Sequence, residues 1–262
     1  MRLPSIRSSV PRPSGERAFT MIEIALSIAV VAFAMVAILG VLPTGLQVQK
    51  DNREETIINA DGAYILESIR SGHDREGLLL KSAYFLTVNY KNGSRDTIAA
   101  PNNESLASLL ASPPDASWDS QKFLGLLSTP KSVRNQGVSN VVVWMRAINS
   151  TAVERDPTAR EVAFRYQLVV EIEPFLAFPP SLTNNLSTNE FRRIVNLQQG
   201  LHEVRLTMRW PLFNDVSTDP SRARVGTKRR TFRSQVGGSQ YFYPTNVLGS
   251  ERLLYFFQPS LY

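Results

Sequence analysis

The strongest constraint on this chain is an uninterrupted apolar run near its N-terminus. The nineteen residues from Ile24 to Leu42 contain nothing more polar than Ser27 and Gly40. As an α-helix this run would be about 28 Å long, close to the roughly 30 Å thickness of the hydrocarbon core of a bilayer. The sequence therefore predicts a helix that can span a membrane.

The charges on either side of the run predict its orientation. Residues 1–18 carry four arginines and one glutamate, and polar and acidic residues such as Asp51, Glu54 and Glu55 follow the run. The positive-inside rule then places the N-terminus in the cytoplasm and most of the chain outside the membrane. Half of the formal charge of +6 lies in those first eighteen residues, which argues against a nucleic-acid affinity of the whole protein.

Two simple interpretations of the run leave something unexplained. A secretory signal has an apolar stretch of only about 7 to 15 residues and a small-x-small cleavage site, whereas this run is longer and ends in Gly-Val-Leu-Pro. An uncleaved membrane anchor accounts for the hydrophobicity and the orientation. It does not account for Glu23, because a carboxylate in the apolar region costs roughly 2 to 3 kcal/mol unless it is paired.

The segment Phe19-Thr20-Met21-Ile22-Glu23 resembles the cleavage and methylation signal of type IV pilins and pseudopilins. In that family a short basic leader is cut just before a Phe, and a Glu stands fifth in the mature chain, ahead of a long apolar helix. The resemblance implies cleavage between Ala18 and Phe19 by a prepilin peptidase, and N-methylation of Phe19. One position departs from the pattern, since Ala18 stands where the family usually has Gly.

The same resemblance implies a role for Glu23 in assembly. Cleavage creates an α-amino group whose ordinary pKa of about 7.7 to 8.0 leaves it largely protonated at neutral pH. Pairing of Glu23 with the Phe19 amine of a neighbouring subunit, in a surrounding of low dielectric, would fix the register of a filament. Over residues 19–49 the chain is also similar to the pilin-like proteins of the Verru_Chthon cassette group, particularly the B type.

A second helical pattern follows Pro43. This proline predicts either a bend or melted turn near residues 40–45, or the end of the membrane helix. Beyond it, Ile58, Ile65 and Ile69 share one face of an amphipathic helix that ends at Ser71-Gly72. We expect this face to pack on a sheet.

Strand patterns dominate the rest of the chain. Residues 82–90 alternate and lead into an Asn92-Gly93 hairpin turn. Longer strands are expected at 138–148, 161–175 and 201–210, with a fifth at 228–236. Because no helix-sized pattern was found between them, the sheet should be mainly antiparallel. The expected fold class is α+β and pilin-like, a long N-terminal helix packed on a mainly antiparallel β-sheet.

This organisation divides the chain into four parts. Residues 1–18 form the basic leader, 19–42 the transmembrane and assembly helix, and 43–75 the amphipathic second half of the helix. Residues 76–262 form a β-rich extracytoplasmic domain, with an insertion at about 101–135 that holds one short helix at 105–111.

No motif indicates an enzyme, a metal site or a cofactor. The chain has no cysteine, and His73 and His202 lack the spacing of a zinc site. No nucleophile motif, phosphate-binding glycine loop or calcium loop is present. The acidic group Asp51, Glu54 and Glu55 is interpreted as a solvated helix face.

A basic strip and an aromatic run stand out near the C-terminus. The strip is favoured as a solvated sheet edge, with an anionic partner such as nucleic acid or lipid as the alternative; its members are Arg222, Arg224, Lys228, Arg229, Arg230 and Arg233. The aromatic run at 241–262 is expected to close the core, or else to contact a partner.

These observations favour a minor subunit of a pilus or of a type II secretion-like filament. Its expected location is the bacterial inner membrane, crossed once, with the domain in the periplasm. Its partners would be the prepilin peptidase and other pilin or pseudopilin subunits, and nucleic acid is the less favoured partner. The alternative is an uncleaved, membrane-anchored extracytoplasmic binding protein.

Overall fold

The computed structural model describes most of the chain after residue 18; the described ranges are 19–74, 77–100, 105–107, 119–131, 138–148, 164–174, 187–213, 224–238, 240–247 and 250–257. The expected leader with Ala18, the basic residue Arg222 and much of the insertion at 101–135 lie outside these ranges. The chain divides into two compact units, Met1–Asn52 and Arg53–Tyr262.

The first unit is described from Phe19 and contains the N-terminal part of helix α1 (Met21–Ser71). The backbone is helical on both sides of Pro43 and through it, so the prediction of a melted turn or a helix end at this proline is wrong. A proline within a helix removes one backbone hydrogen bond and crowds the preceding turn, at a cost of about 3 kcal/mol. Its neighbours Gly40, Thr44 and Gly45 are weak helix formers, so local propensity does not explain why the helix continues through Pro43.

In the second unit the last turns of α1 pack on a sheet. Ile58, Ile65 and Ile69 are fully buried, which confirms the predicted apolar stripe. The helix ends at Ser71, and Gly72 follows with φ 67°, a left-handed conformation that glycine adopts without steric cost.

The sheet of the second unit has six antiparallel strands in the order β2-β1-β3-β4-β5-β6. The predicted hairpin is confirmed, since β1 and β2 join through a turn in which Gly93 has φ 85°. The last two predicted strands are longer than expected, and β5 continues beyond residue 210 and through Pro211. The strands are β1 (Ala83–Tyr90), β2 (Arg95–Ala99), β3 (Val138–Arg146), β4 (Arg165–Pro174), β5 (Leu201–Phe213) and β6 (Arg224–Gly237).

In the described ranges, three further helices accompany the sheet: α2 (Leu78–Ser82), α3 (Ser120–Leu127) and α4 (Thr188–Gly200). Helix α4 lies between β4 and β5, so the prediction that no helix separates the strands is wrong, although the strand pairing stays antiparallel. Its local cause is a capping box, in which the backbone N–H and hydroxyl of Ser187 both donate to Glu190 Oε2, at 3.0 and 2.8 Å. In the insertion, residues 106–107 form a 3₁₀ turn and α3 supplies a helix that was not expected.

The core lies between α1 and one face of the sheet. Alternate residues of β4 and β5, such as Leu168, Val170 and Leu206, point into it beside Ile58 and Ile65. A two-stranded hairpin, β7 (Gln240–Val247) and β8 (Ser250–Phe257), adds Leu254, Phe256 and Phe257 to this core. The expectation that the aromatic run closes the core is confirmed for β8, whereas Tyr241 and Phe242 of β7 remain exposed.

Candidate functional site

The described part of the expected processing signal, Phe19–Glu23, is exposed. Phe19 and Thr20 precede the helix, and the carbonyl oxygen of Thr20 accepts hydrogen bonds from the backbone N–H groups of Glu23 and Ile24, at 3.0 and 3.2 Å. The side chain of Phe19 is 76% exposed. Phe19 and Thr20 therefore lie on non-helical backbone that precedes α1.

Glu23 lies in the first turn of α1. The unpaired N–H groups of a helix N-terminus stabilise a carboxylate there by about 0.3 to 1 kcal/mol. Among the described residues, the Glu23 carboxylate accepts no hydrogen bond and forms no ion pair; Ser27 Oγ donates to the backbone carbonyl of Glu23 instead, at 2.8 Å. The side chain is thus available to a group from outside the described chain.

One helix in the described part of the chain is long and apolar enough to cross a membrane. It is α1, whose apolar part in the first unit is exposed. A signal sequence close to an N-terminus meets the same criteria of length and composition. The prediction of a helix long and apolar enough to cross a membrane is confirmed, while the direction of insertion stays a prediction.

The structure corrects the interpretation of the acidic group on α1. Glu54 is only 8% exposed, and its Oε2 accepts from the indole Nε1 of Trp210 at 3.1 Å and from Lys228 Nζ at 2.7 Å. The prediction of a solvated face is therefore wrong for Glu54. Glu55 is exposed as expected.

A second buried acid, Asp61, was missed by the sequence reasoning. Its Oδ2 accepts from the backbone N–H of Ile148 and from the hydroxyl of Tyr166, both at 3.0 Å, and the residue is 1% exposed. Burial raises the pKa of Asp61 to about 6, against the lowering effect of these two hydrogen bonds. Burial and the neighbouring Asp61 also raise the pKa of the Tyr166 hydroxyl.

The helical spacing already contained a signal for both acids. Residues 54, 58, 61 and 65 follow one another at intervals of four, three and four, so Glu54 and Asp61 continue the stripe of buried isoleucines. Gly62, beside Asp61, allows close packing: a Cβ atom there would lie 2.5 Å from Cε2 of Phe232. These contacts fix the end of α1 on the sheet.

The sheet divides the basic strip between its two faces. Lys228 and Arg230 lie on the face of β6 that carries Phe232; Lys228 pairs with Glu54, and the Arg230 guanidinium lies 5.9 Å from the Phe232 ring centre. Arg229 and Arg233 alternate with them onto the opposite face. Arg224 is exposed at the start of β6.

The two histidines lie at the ends of two different elements, α1 and β5. His73 follows the end of α1, and His202 lies at the start of β5, buried with its ring edge against Phe257 at 5.3 Å between ring centres. Burial lowers the pKa of His202. In the described ranges, no three His, Asp or Glu side chains are grouped so that they could hold a metal ion.

Comparison with family models, with curated proteins and with solved structures found no match for this chain.

Proposed function

We propose that this chain is a type IV pilin-like protein or pseudopilin, a minor subunit of a pilus or of a type II secretion-like filament. The observation that carries the proposal is helix α1. Its first part is apolar and exposed, and its last part, in the second unit, is buried on an antiparallel sheet. A soluble protein gains nothing from some thirty exposed and mostly apolar helical residues, because apolar surface is costly in water.

In this proposal a prepilin peptidase cuts the precursor between Ala18 and Phe19 at the bacterial inner membrane, and Phe19 is then N-methylated. The domain of the second unit lies in the periplasm. The basic leader, Phe19 and the register of Glu23 support this sequence of events. The carboxylate of Glu23, which is exposed and has no partner among the described residues, would receive the Phe19 amine of the next subunit.

One observation favours a second candidate, an uncleaved membrane-anchored binding protein. Glu23 lies in the first turn of α1, where the helix dipole stabilises a carboxylate without any cleavage. In that case the acid is a helix-end feature of an anchor, and the chain keeps its leader.

Co-expression of the full chain with and without a prepilin peptidase separates the two candidates. We expect the peptidase to shorten the chain by eighteen residues. Ala18→Gly should increase the processed fraction, because it restores the residue usual in the family. Gly15→Ala is the matched control and should have no effect, since cutting after Gly15 would place Glu23 eighth. A chain that stays intact in both the original and the Ala18→Gly form supports the anchor.

Assembly is tested by replacing the acid alone. Glu23→Ala should be cleaved normally but should not enter filaments, because the amine of the neighbouring subunit then lacks a partner in the apolar bundle. Glu55→Ala removes an exposed acid farther along the same helix and should be incorporated normally. Normal incorporation of Glu23→Ala would contradict the pairing role.

A further inference from the structure

The face of the sheet that points away from the core carries two groups of charged side chains. We call it the outer face, and it consists of alternate residues of β4, β5 and β6. In register across β5 and β6, Arg205 lies opposite Arg233, Thr207 opposite Thr231, and Arg209 opposite Arg229. The two groups differ in whether carboxylates accompany the arginines.

At one end of the outer face the charges are balanced. Glu203 lies 3.4 Å from Arg205 and 3.9 Å from Arg233, and Glu171 lies 3.6 Å from Arg205. Lys131 Nζ lies 2.6 Å from a carboxylate oxygen of Glu173 and 3.8 Å from one of Glu171. Three cations and three carboxylates therefore form one ion-pair network.

At the other end the charges are not balanced. Arg209 and Arg229 are both exposed, and in the described part of the chain neither contacts a carboxylate. Residues directly opposite in an antiparallel pair have Cβ atoms only about 4.5 to 5.5 Å apart, and like charges there repel each other. The next pair, Thr207 and Thr231, places its two hydroxyl oxygens 3.4 Å apart beside the arginines. On β4, Gln167 is in register with Arg209.

We propose that Arg209 and Arg229, with the hydroxyl pair Thr207 and Thr231, bind a phosphate dianion, either free or as a phosphomonoester. Two guanidinium groups supply a charge of +2, which a dianion neutralises. A tetrahedral oxyanion has enough oxygen atoms to accept bidentate hydrogen bonds from two guanidinium groups and a further bond from a hydroxyl. A carboxylate has only two oxygens, which one guanidinium group satisfies. A phosphodiester has the oxygens but carries only one negative charge.

This site differs from the basic strip that the sequence indicated. Lys228 is occupied by Glu54, Arg230 lies on the other face of the sheet, and Arg233 belongs to the balanced network. Arg229 belongs to the site, and its partner Arg209 comes from β5; of the other strip members, Arg224 lies at the start of β6 and Arg222 lies outside the described residues. The site lies within the second unit and does not depend on the proposed filament function.

The test is phosphate binding by the full chain in a non-ionic detergent at low salt, followed by phosphorus NMR at about pH 7.5, where a phosphomonoester is mostly dianionic. The probes observed directly are inorganic phosphate, glycerol phosphate and dimethyl phosphate; acetate, which has no phosphorus, is tested as a competitor that displaces bound phosphate. We expect the first two to bind and the last two to bind at least about tenfold more weakly, because they lack the second charge or the additional oxygens. Tighter binding of glycerol phosphate than of inorganic phosphate would identify the ester as the ligand, and the reverse would identify the free ion.

The variants Arg209→Gln and Arg229→Gln should each weaken phosphate binding by at least about tenfold, since each removes one fork of charge-assisted hydrogen bonds. Arg233→Gln is the matched control, two outer-face pairs away from Arg229 on the same strand, and should leave binding within about twofold because its charge is already offset by Glu203. Equal losses in all three variants would show unspecific attraction to a basic surface and would overturn the site. So would equal binding of dimethyl phosphate.

Discussion

The buried carboxyl of Asp61 gives the most quantitative prediction. Its pKa is about 6 in the folded protein, against an ordinary value of 3.8. A shift of one pKa unit corresponds to about 1.4 kcal/mol, so ionisation of Asp61 lowers the free energy of unfolding by about 3 kcal/mol when the carboxyl is fully charged in both states.

The sign follows from proton binding. Between pH values near 4 and near 6 the folded state holds a proton on Asp61 that the unfolded state has lost, so stability falls as the pH rises through this window. Most of the loss is complete by about pH 7. Between about pH 5 and pH 8 this single group should remove between 1 and 2 kcal/mol of stability.

The perturbation is Asp61→Asn. The amide oxygen can still accept from the Ile148 N–H and the Tyr166 hydroxyl, but the side chain no longer titrates. We expect the free energy of unfolding of the original protein to fall relative to that of the variant, by between about 1 and 2 kcal/mol from pH 5 to pH 8. The difference between the two pH profiles cancels the contribution of every other titrating group.

The assay is urea unfolding of the full chain in a non-ionic detergent, followed by tryptophan fluorescence, because the buried indoles of Trp144 and Trp210 report on the sheet. Hydrogen exchange of the Ile148 amide gives a local check, since this amide donates to Asp61. Parallel pH profiles for the two proteins, within about 0.5 kcal/mol, would refute the reasoning, because a carboxyl with an ordinary pKa produces no such difference.

Three further substitutions test the packing and the charges of the second unit. Glu54→Ala should lower the free energy of unfolding by about 1 to 3 kcal/mol, because it leaves a buried indole N–H unpaired, and Glu54→Gln should lose less in the same urea assay. Gly62→Ala should cost about 1 to 3 kcal/mol, since its Cβ would meet the Phe232 ring, whereas Gly200→Ala, with open space, should cost less than about 0.5 kcal/mol. Arg229→Gln should stabilise the protein by about 0.2 to 1 kcal/mol by removing a cross-strand repulsion, and a loss of stability there would contradict the unbalanced charge pair.

The elements that depend on local pattern were predictable from the sequence. The spacing of Ile58, Ile65 and Ile69 identified the buried face of α1, and Asn92-Gly93 identified a hairpin. Helix α4 was not predicted although its signal is local, because the Ser187 capping box stands in a polar stretch without a helix-sized apolar pattern.

The features that depend on distant partners were not predictable. Glu54 has its partners 156 and 174 residues away, and Asp61 contacts a tyrosine 105 residues away. In the sequence such an acid cannot be distinguished from a solvated one, because the strands that cover it come from distant parts of the chain. In the same way, Arg209 and Arg229 become neighbours only through the register of β5 and β6.

Cleavage before Phe19 separates the proposed filament subunit from an anchor, and the mass of the intact protein extracted from the membranes of its native host tests it. We expect a chain eighteen residues shorter than the 262-residue sequence, with one methyl group on the N-terminal amine. A chain that still begins at Met1 would contradict it and would identify an uncleaved anchor.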